Sequence, residues 1–129
     1  MGLGDRIKKY ESVTRYSATV RTPLIIRVDG RAFHTFTRGM KRPFDNNIIS
    51  AMVGSAIEVA KEMQGFKAAY IQSDEASFCI TDYDGLNSEG WFNYNLQKII
   101  SISASIMSVN FIKNIITVCG NDNFHSGFR

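Results

Sequence analysis

The sequence YIQSDEASF, Tyr70–Phe78, gives the clearest indication of how this chain folds. Its polar centre lies between two runs that favour strands, Lys67–Ser73 and Ala76–Tyr83. Because parallel strands need a long crossover connection, so short a link predicts an antiparallel hairpin. The hairpin argues against the alternative fold, an open α/β sheet of parallel strands.

The segments on both sides of this hairpin alternate between strands and helices. They are identified by helical spacing of apolar residues and by glycine, proline or aspartate at their ends. In chain order they are a short helix at Asp5–Ser17, a strand at Pro23–Asp29, a loop at Gly30–Asp45, a long helix capped by Asp45 and ended by Gly65, a second long helix at about Trp91–Lys113, and a final strand at Ile115–Cys119. With the hairpin, this order predicts an α+β, ferredoxin-like βαββαβ fold, an antiparallel sheet with two long helices on one face.

The composition indicates a single globular domain spanning residues 1–129. Hydrophobic residues make up 44% and charged residues 21% of the 129-residue chain. We expect no membrane segment, because we find no apolar stretch of the roughly 18–20 residues that a span needs and the N-terminus is polar. Cys79 and Cys119 lie in apolar runs, which predicts free thiols and a cytoplasmic location. The net charge of +3 favours an anionic partner such as a nucleotide or RNA.

Two acidic residues far apart in the sequence are expected to meet in space. In a βαββ unit the first two strands run parallel and the third lies antiparallel between them. The end of the first strand, at Asp29, and the turn of the hairpin, at Asp74, then lie at the same edge of the sheet. Neighbouring carboxylates repel unless a cation lies between them, and oxygen ligands favour Mg²⁺.

The residues after Asp29 are suited to binding phosphate. Gly30 and Ala32 leave the backbone N–H groups of the turn accessible, and the Gly30 carbonyl could be a further metal ligand. Basic side chains follow in the same loop; they are Arg31, Arg38, Lys41 and Arg42. Metal ions, a phosphate-binding turn and basic residues together are what phosphoryl or nucleotidyl transfer needs.

Each of these motifs also has a plainer interpretation. An Asp-Gly pair after a strand is usually only a turn, and SDE is usually a solvated hairpin tip. From the residues alone, both a palm-like two-metal nucleotide site and this plainer interpretation remain open.

Four segments resemble the tRNA-histidine guanylyltransferase family, including its bacterial, archaeal and phage-borne members. They are IIRVDGRAFHTF, RPFD, YIQSDEASF and WFNYNLQKIISISASI, and the resemblance runs from GDRIKKYE to about Phe111. The combination of DGRxFHxF with QSDExSF at this distance is specific to the family. The resemblance implies a polymerase-like palm that adds nucleotides in the 3′-to-5′ direction to the 5′ end of tRNA, in tRNA-histidine maturation or 5′-end repair. Such enzymes activate the 5′ end with ATP or use a 5′-triphosphate, and then add GTP or another nucleoside triphosphate.

The resemblance also implies roles for individual residues. The implied catalytic residues are Asp29, Asp74 and Glu75, of which Glu75 matches the acid beside the second aspartate. Two Mg²⁺ ions would be held by Asp29, Asp74 and the Gly30 carbonyl. The remaining matched positions are nucleotide-binding, and they are Gly30, Arg31, Ala32, Phe33, His34, Lys41, Arg42 and Ser73. Arg42 departs from the family, which usually has lysine before the proline.

The end of the chain also departs from the family pattern. The tail NDNFHSGFR matches poorly, and we expect the chain to lack the family's C-terminal half, which contacts the activating nucleotide and tRNA. Two alternatives to the full enzyme therefore stay open: a truncated nucleotide- or RNA-binding remnant, and a palm of another class such as a nucleotide cyclase. Family members assemble into dimers or tetramers, so we also expect a homo-oligomer.

Overall fold

The computed structural model describes residues 2–30 and 46–127 of the chain. The elements are helix α1 at Leu3–Ser12, strand β1 at Leu24–Asp29, helix α2 at Asn46–Glu62, strand β2 at Phe66–Gln72 and strand β3 at Glu75–Ile80. A 3-10 turn at Trp91–Tyr94 then leads into helix α3, at Leu96–Gly127.

The three described strands form one antiparallel sheet in the order β1-β3-β2. Strand β3 runs antiparallel to both neighbours, so β1 and β2 are parallel to each other. The predicted α+β class, the hairpin and the position of its second strand in the middle of the sheet are therefore confirmed.

Helices α2 and α3 cover one face of the sheet, and no described helix packs on the other face. Ile26, Phe78 and Ile80 alternate with exposed or half-buried neighbours and pack into the core with the helices. The helix residues in that core include Met52, Ala56, Val59, Ile99, Met107 and Ile115. On the other face, Ile25 and Tyr70 remain 62% and 66% exposed.

The prediction of a final strand at Ile115–Cys119 is wrong, because helix α3 continues through this segment to Gly127. The β-branched residues of this run favour a strand, but the helical spacing of buried positions continues into it. Ile115 is 1% exposed and follows the buried Met107 by eight residues. The Asn114 amide also donates to the Ser55 hydroxyl of α2 at 3.2 Å. Packing against α2 thus overrides the local strand preference.

The start of α3 and the end of α1 also differ from the predicted boundaries. Helix α3 begins at Leu96 rather than Trp91, because Phe92, Asn93 and Tyr94 all have positive φ. Helix α1 ends at Ser12 rather than Ser17, since Ser17 instead forms an isolated antiparallel bridge with Asn95.

Part of helix α3 contradicts the expectation that no apolar stretch is long enough to cross a membrane. Among the described residues, Leu96–Thr117 has the length and hydropathy of a span, with 22% of its most apolar window buried inside the protein. This is weak evidence for a membrane helix, because the core helices of soluble proteins pass the same test.

Tyr94 links the start of α3 to the segment before β1, and it gives a testable pH effect. Its side chain is 1% exposed, and its hydroxyl donates to the Thr22 carbonyl at 3.0 Å. Burial, followed by the nearby Asp82 charge, raises the pKa of Tyr94 above its ordinary value of 10.0. Because folding favours the neutral phenol, this contribution to stability is present below pH ~10 and is lost as the pH rises through the folded-state pKa.

We therefore expect an alkaline absorbance titration to contain a component that ionises above the ordinary tyrosine pKa of 10.0. The late-titrating component should disappear in Tyr94→Phe. A wild-type titration without such a late component would contradict the burial of this phenol.

Candidate nucleotide and metal site

The end of β1 and the turn between β2 and β3 meet at one edge of the sheet. Asp29 lies directly opposite Glu75 in the β1–β3 register. The next amide, of Gly30, donates to the Asp74 carbonyl at 2.8 Å. The topology thus brings together Asp29, Gly30, Asp74 and Glu75, as the sequence predicted; we call this edge the acidic rim.

The turn that carries Asp74 has a strained backbone. Only Ser73 and Asp74 separate the paired residues Gln72 and Glu75, and Ser73 has a φ of +55°. A left-handed conformation costs a non-glycine residue roughly 1–2 kcal/mol. Such strain persists where the surrounding structure fixes it, and it is enriched at functional sites. Here the paired strands on both sides hold the turn and so fix the backbone of Asp74.

Arg27 is a charged residue of this site that the sequence analysis did not identify. Its Nε atom lies 3.3 Å from Asp29 Oδ2 and 3.4 Å from Glu75 Oε2. The side chains are 62%, 52% and 36% exposed respectively, so these ion pairs contribute little to stability. The sequence did contain an indication of this position, because Arg27 precedes Asp29 by two residues and so lies on the same face of the strand. Arg27 partly neutralises the negative charge of the acidic rim.

The donor atoms at the acidic rim are compatible with Mg²⁺. Two aspartate carboxylates and a backbone carbonyl are all oxygen ligands, and Mg²⁺ typically takes one or two carboxylates beside waters and substrate phosphates. Asp29 is exposed and Asp74 half-buried, so solvent reaches both. Within residues 2–30 and 46–127, no group of three or more His, Cys, Asp or Glu side chains is arranged to hold a metal. The residues therefore fit a site completed by backbone and substrate oxygens rather than a cage of side chains.

Several predicted nucleotide-binding residues lie outside the described part of the chain. They are Arg31, Ala32, Phe33, His34, Lys41 and Arg42, and the basic residue Arg38 also falls in this segment. Ser73 is described and lies exposed in the strained turn, next to Asp74.

A second pair of acidic residues lies at the opposite end of β3 from the acidic rim. Asp84 pairs with Lys67 at 2.6 Å, and that hydrogen bond is the main reason its pKa is lowered. Asp82 is buried and accepts a hydrogen bond from the Arg21 amide at 2.8 Å. Asp84 thus connects the segment after β3 to β2, and Asp82 connects it to the segment before β1. Both acids are separate from the acidic rim.

Comparison with known proteins agrees with this architecture. The model of the family described as tRNAHis guanylyltransferase matches residues 4–126. A tRNA(His) guanylyltransferase of Debaryomyces hansenii is 32% identical over 93 residues, covering 70% of this chain and 33% of that protein. An uncharacterised mimivirus protein is 29% identical over 115 residues, which cover 84% of this chain and 39% of that protein.

Two solved structures are also similar to this chain. A bacterial tRNA(His) guanylyltransferase-like protein in complex with ATP has a TM-score of 0.85 and 41% identity, covering 90% of this chain and 51% of that one. A structure of such a protein in complex with GTP has a TM-score of 0.84 and 42% identity, covering 88% and 54%. The chain thus spans about half the length of these structures and about a third of the curated relatives.

Proposed function

The chain belongs to the tRNAHis guanylyltransferase family, and from that premise we propose that it forms the metal- and nucleotide-binding palm of a 3′-to-5′ nucleotidyltransferase. Its substrates would be GTP or another nucleoside triphosphate, ATP for activation, and the 5′ end of a tRNA. The single observation that supports this proposal most strongly is the meeting of Asp29 and Asp74 at the acidic rim, where the Gly30 amide donates to the Asp74 carbonyl.

The proposed chemistry assigns a task to each residue at the acidic rim. Asp29, Asp74 and the Gly30 carbonyl would hold two Mg²⁺ ions, which supply positive charge to the phosphates when bound. The backbone of residues 30–34 would bind the triphosphate, with Lys41, Arg42 and Ser73 contacting the nucleotide. Glu75 would keep Arg27 at the rim, since their side chains form an ion pair at 3.4 Å.

In the proposed reaction, the 3′-hydroxyl of the incoming nucleoside triphosphate attacks the α-phosphorus of an activated 5′ end. A new phosphodiester bond forms, and the activating group leaves as pyrophosphate from a triphosphate end or as AMP from an adenylated one. The protein mainly positions these groups and neutralises their charge, as in other phosphoryl transfers.

The proposal is supported by the ligands named for the similar structures. One structure of a bacterial tRNA(His) guanylyltransferase-like protein is in complex with ATP and another with GTP. These structures align with 90% and 88% of this chain, at 41% and 42% identity. We therefore propose that this chain binds both nucleotides. We also propose that it works in the cytoplasm, where Mg²⁺ and tRNA are present as well.

The transfer activity is testable with a tRNA that lacks its first nucleotide and carries a 5′-triphosphate. We expect the protein to extend it with labelled GTP in the presence of Mg²⁺, and gel electrophoresis of the labelled product measures this. The matched control is Asp84→Asn, an acid at the opposite end of the sheet, which should retain activity. Binding of GTP without extension would contradict transfer and support a nucleotide-binding protein; a cyclic nucleotide formed from the triphosphate alone would support a cyclase.

We also propose that the chain forms a homo-oligomer, a dimer or a tetramer. The support is a stripe of exposed apolar side chains along the outer side of α3. It consists of Val109, Ile112 and Ile116, which are 65%, 53% and 41% exposed. Contiguous exposed apolar side chains mark protein or membrane interaction sites when they form a large patch.

A further inference from the structure

The open face of the sheet carries two rows of side chains next to the acidic rim. Because Asp29 and Gln72 both pair with Glu75, these three residues form the first row across the sheet. Arg27 and Tyr70 both pair with Ser77, which defines the second row. The two rows lie on the same face, since they are two residues apart along each strand.

Tyr70 is the large aromatic side chain of this second row. It is 66% exposed, whereas Ala69 and Ile71 on either side of it face towards the helices. No hydrogen bond or ring contact joins Tyr70 to another residue within the described ranges. An aromatic ring held by a strand but left without partners is available to stack on a planar ligand.

The distance between Tyr70 and the acidic rim matches the size of a nucleotide. Strand geometry gives roughly 7 Å between adjacent rows and roughly 5 Å between adjacent strands. Tyr70 therefore lies roughly 8 Å from Glu75 and 12 Å from Asp29 along the sheet. A nucleotide with its phosphate at the rim would span this distance and bring its base over the second row.

We propose that the Tyr70 ring is a stacking platform for a nucleobase whose phosphate lies at the acidic rim. The proposal rests on the proposed function, which provides the phosphate site. The base belongs either to the terminal nucleotide of the RNA or to the free nucleoside triphosphate. Stacking on one aromatic ring tolerates every base, so Tyr70 contributes affinity and position rather than base preference.

The test compares Tyr70→Ala and Tyr70→Phe with Tyr10→Ala, which removes a tyrosine of equal exposure, 66%, from α1. Two probes distinguish the sources of the base: GTP with Mg²⁺, and a short 5′-triphosphorylated RNA with 2-aminopurine at its first position. We expect Tyr70→Ala to bind at least one probe about 5- to 100-fold more weakly and, in the RNA arm, to relieve the quenching of 2-aminopurine. Tyr70→Phe and Tyr10→Ala should match the parent protein.

Two results would overturn the proposal. One is unchanged affinity of Tyr70→Ala for both probes while Asp74→Ala loses Mg²⁺-dependent binding, in which case the proposed function survives and the stacking role does not. The other is a loss in Tyr70→Ala that Tyr70→Phe shares fully, since that change keeps the ring. If the parent protein binds neither probe with Mg²⁺, the phosphate site itself is absent and both proposals fail.

Discussion

Replacement of Asp74 by alanine is expected to weaken Mg²⁺-dependent binding of GTP by at least about 100-fold. Loss even of a residue that only orients a metal ligand typically costs 10- to 100-fold, and Asp74 is proposed as a ligand itself. Asp29→Ala should have a similar effect, because the two residues lie at one edge of the sheet and would share the same ions. Calorimetric titration of GTP with Mg²⁺, and again with EDTA, measures the metal-dependent part.

The control for this prediction is Asp84→Ala, which removes an exposed aspartate that lies beyond the far end of β3. Its binding of GTP should be unchanged. All three variants should fold, since the ion pairs of Asp29 with Arg27 and of Asp84 with Lys67 join exposed side chains and such pairs contribute about 0–1 kcal/mol. The contact of Asp74 with Gly30 uses the backbone carbonyl, which alanine retains. Equal binding of GTP by Asp29→Ala, Asp74→Ala and the parent protein would show that the acidic rim is not the metal site.

Replacement of Gly65 by alanine is expected to destabilise the protein strongly, lowering the free energy of unfolding by about 2–4 kcal/mol. Gly65 has a φ of +78°, and a Cβ atom there would collide with the backbone carbonyl of Thr81. The same two residues are joined by a hydrogen bond from the Thr81 amide to the Gly65 carbonyl at 3.0 Å. Neither backbone can move away without disturbing the end of β3. Urea denaturation followed by circular dichroism measures the change.

Gly4→Ala is the matched control, because a Cβ atom at Gly4 would meet nothing within 4 Å. Since Gly4 lies in α1, alanine there should leave stability unchanged or raise it slightly, by up to about 1 kcal/mol. Similar unfolding midpoints for Gly65→Ala and Gly4→Ala would mean that the turn into β2 is not as tight as described.

The sheet could be predicted from the sequence because its determinants are local. Two strand-forming runs with only a few polar residues between them permit one arrangement, an antiparallel hairpin. In a βαββ unit the helical crossover leaves the first two strands parallel, and the third strand then lies between them. The meeting of Asp29 and Asp74 followed from that order without any information on side-chain contacts. This part of the candidate site is therefore a consequence of topology.

Other features depend on contacts that no local pattern reveals. The run around Ile115 contains β-branched residues that favour a strand, and only its packing against Ser55 and the core of α2 makes it helical. The left-handed turn at Phe92–Tyr94 contains no glycine that would indicate positive φ. The ion pair of Arg27 with Glu75 requires the register of β1 and β3 to be known, although the position of Arg27 beside Asp29 on one face of β1 could have been inferred from the sequence. Sequence patterns thus located the acidic rim but not the cation beside it.

The open face of the sheet would leave room for a large substrate at the acidic rim. Helices α2 and α3 pack on one side only, so the acidic rim and the rows beside it face solvent. The proposed substrate, an RNA 5′ end, would then approach the rim across the sheet, and the chain's net charge of +3 would favour that approach.

The position of a bound divalent ion tests the central claim most directly. Crystals grown with Mn²⁺ in place of Mg²⁺, together with GTP, would locate the ion by its anomalous scattering. We predict an ion within about 2.1 Å of oxygen atoms from both Asp29 and Asp74, in contact with the triphosphate. An ion bound to only one of these aspartates, or a triphosphate bound away from this edge of the sheet, would contradict the account.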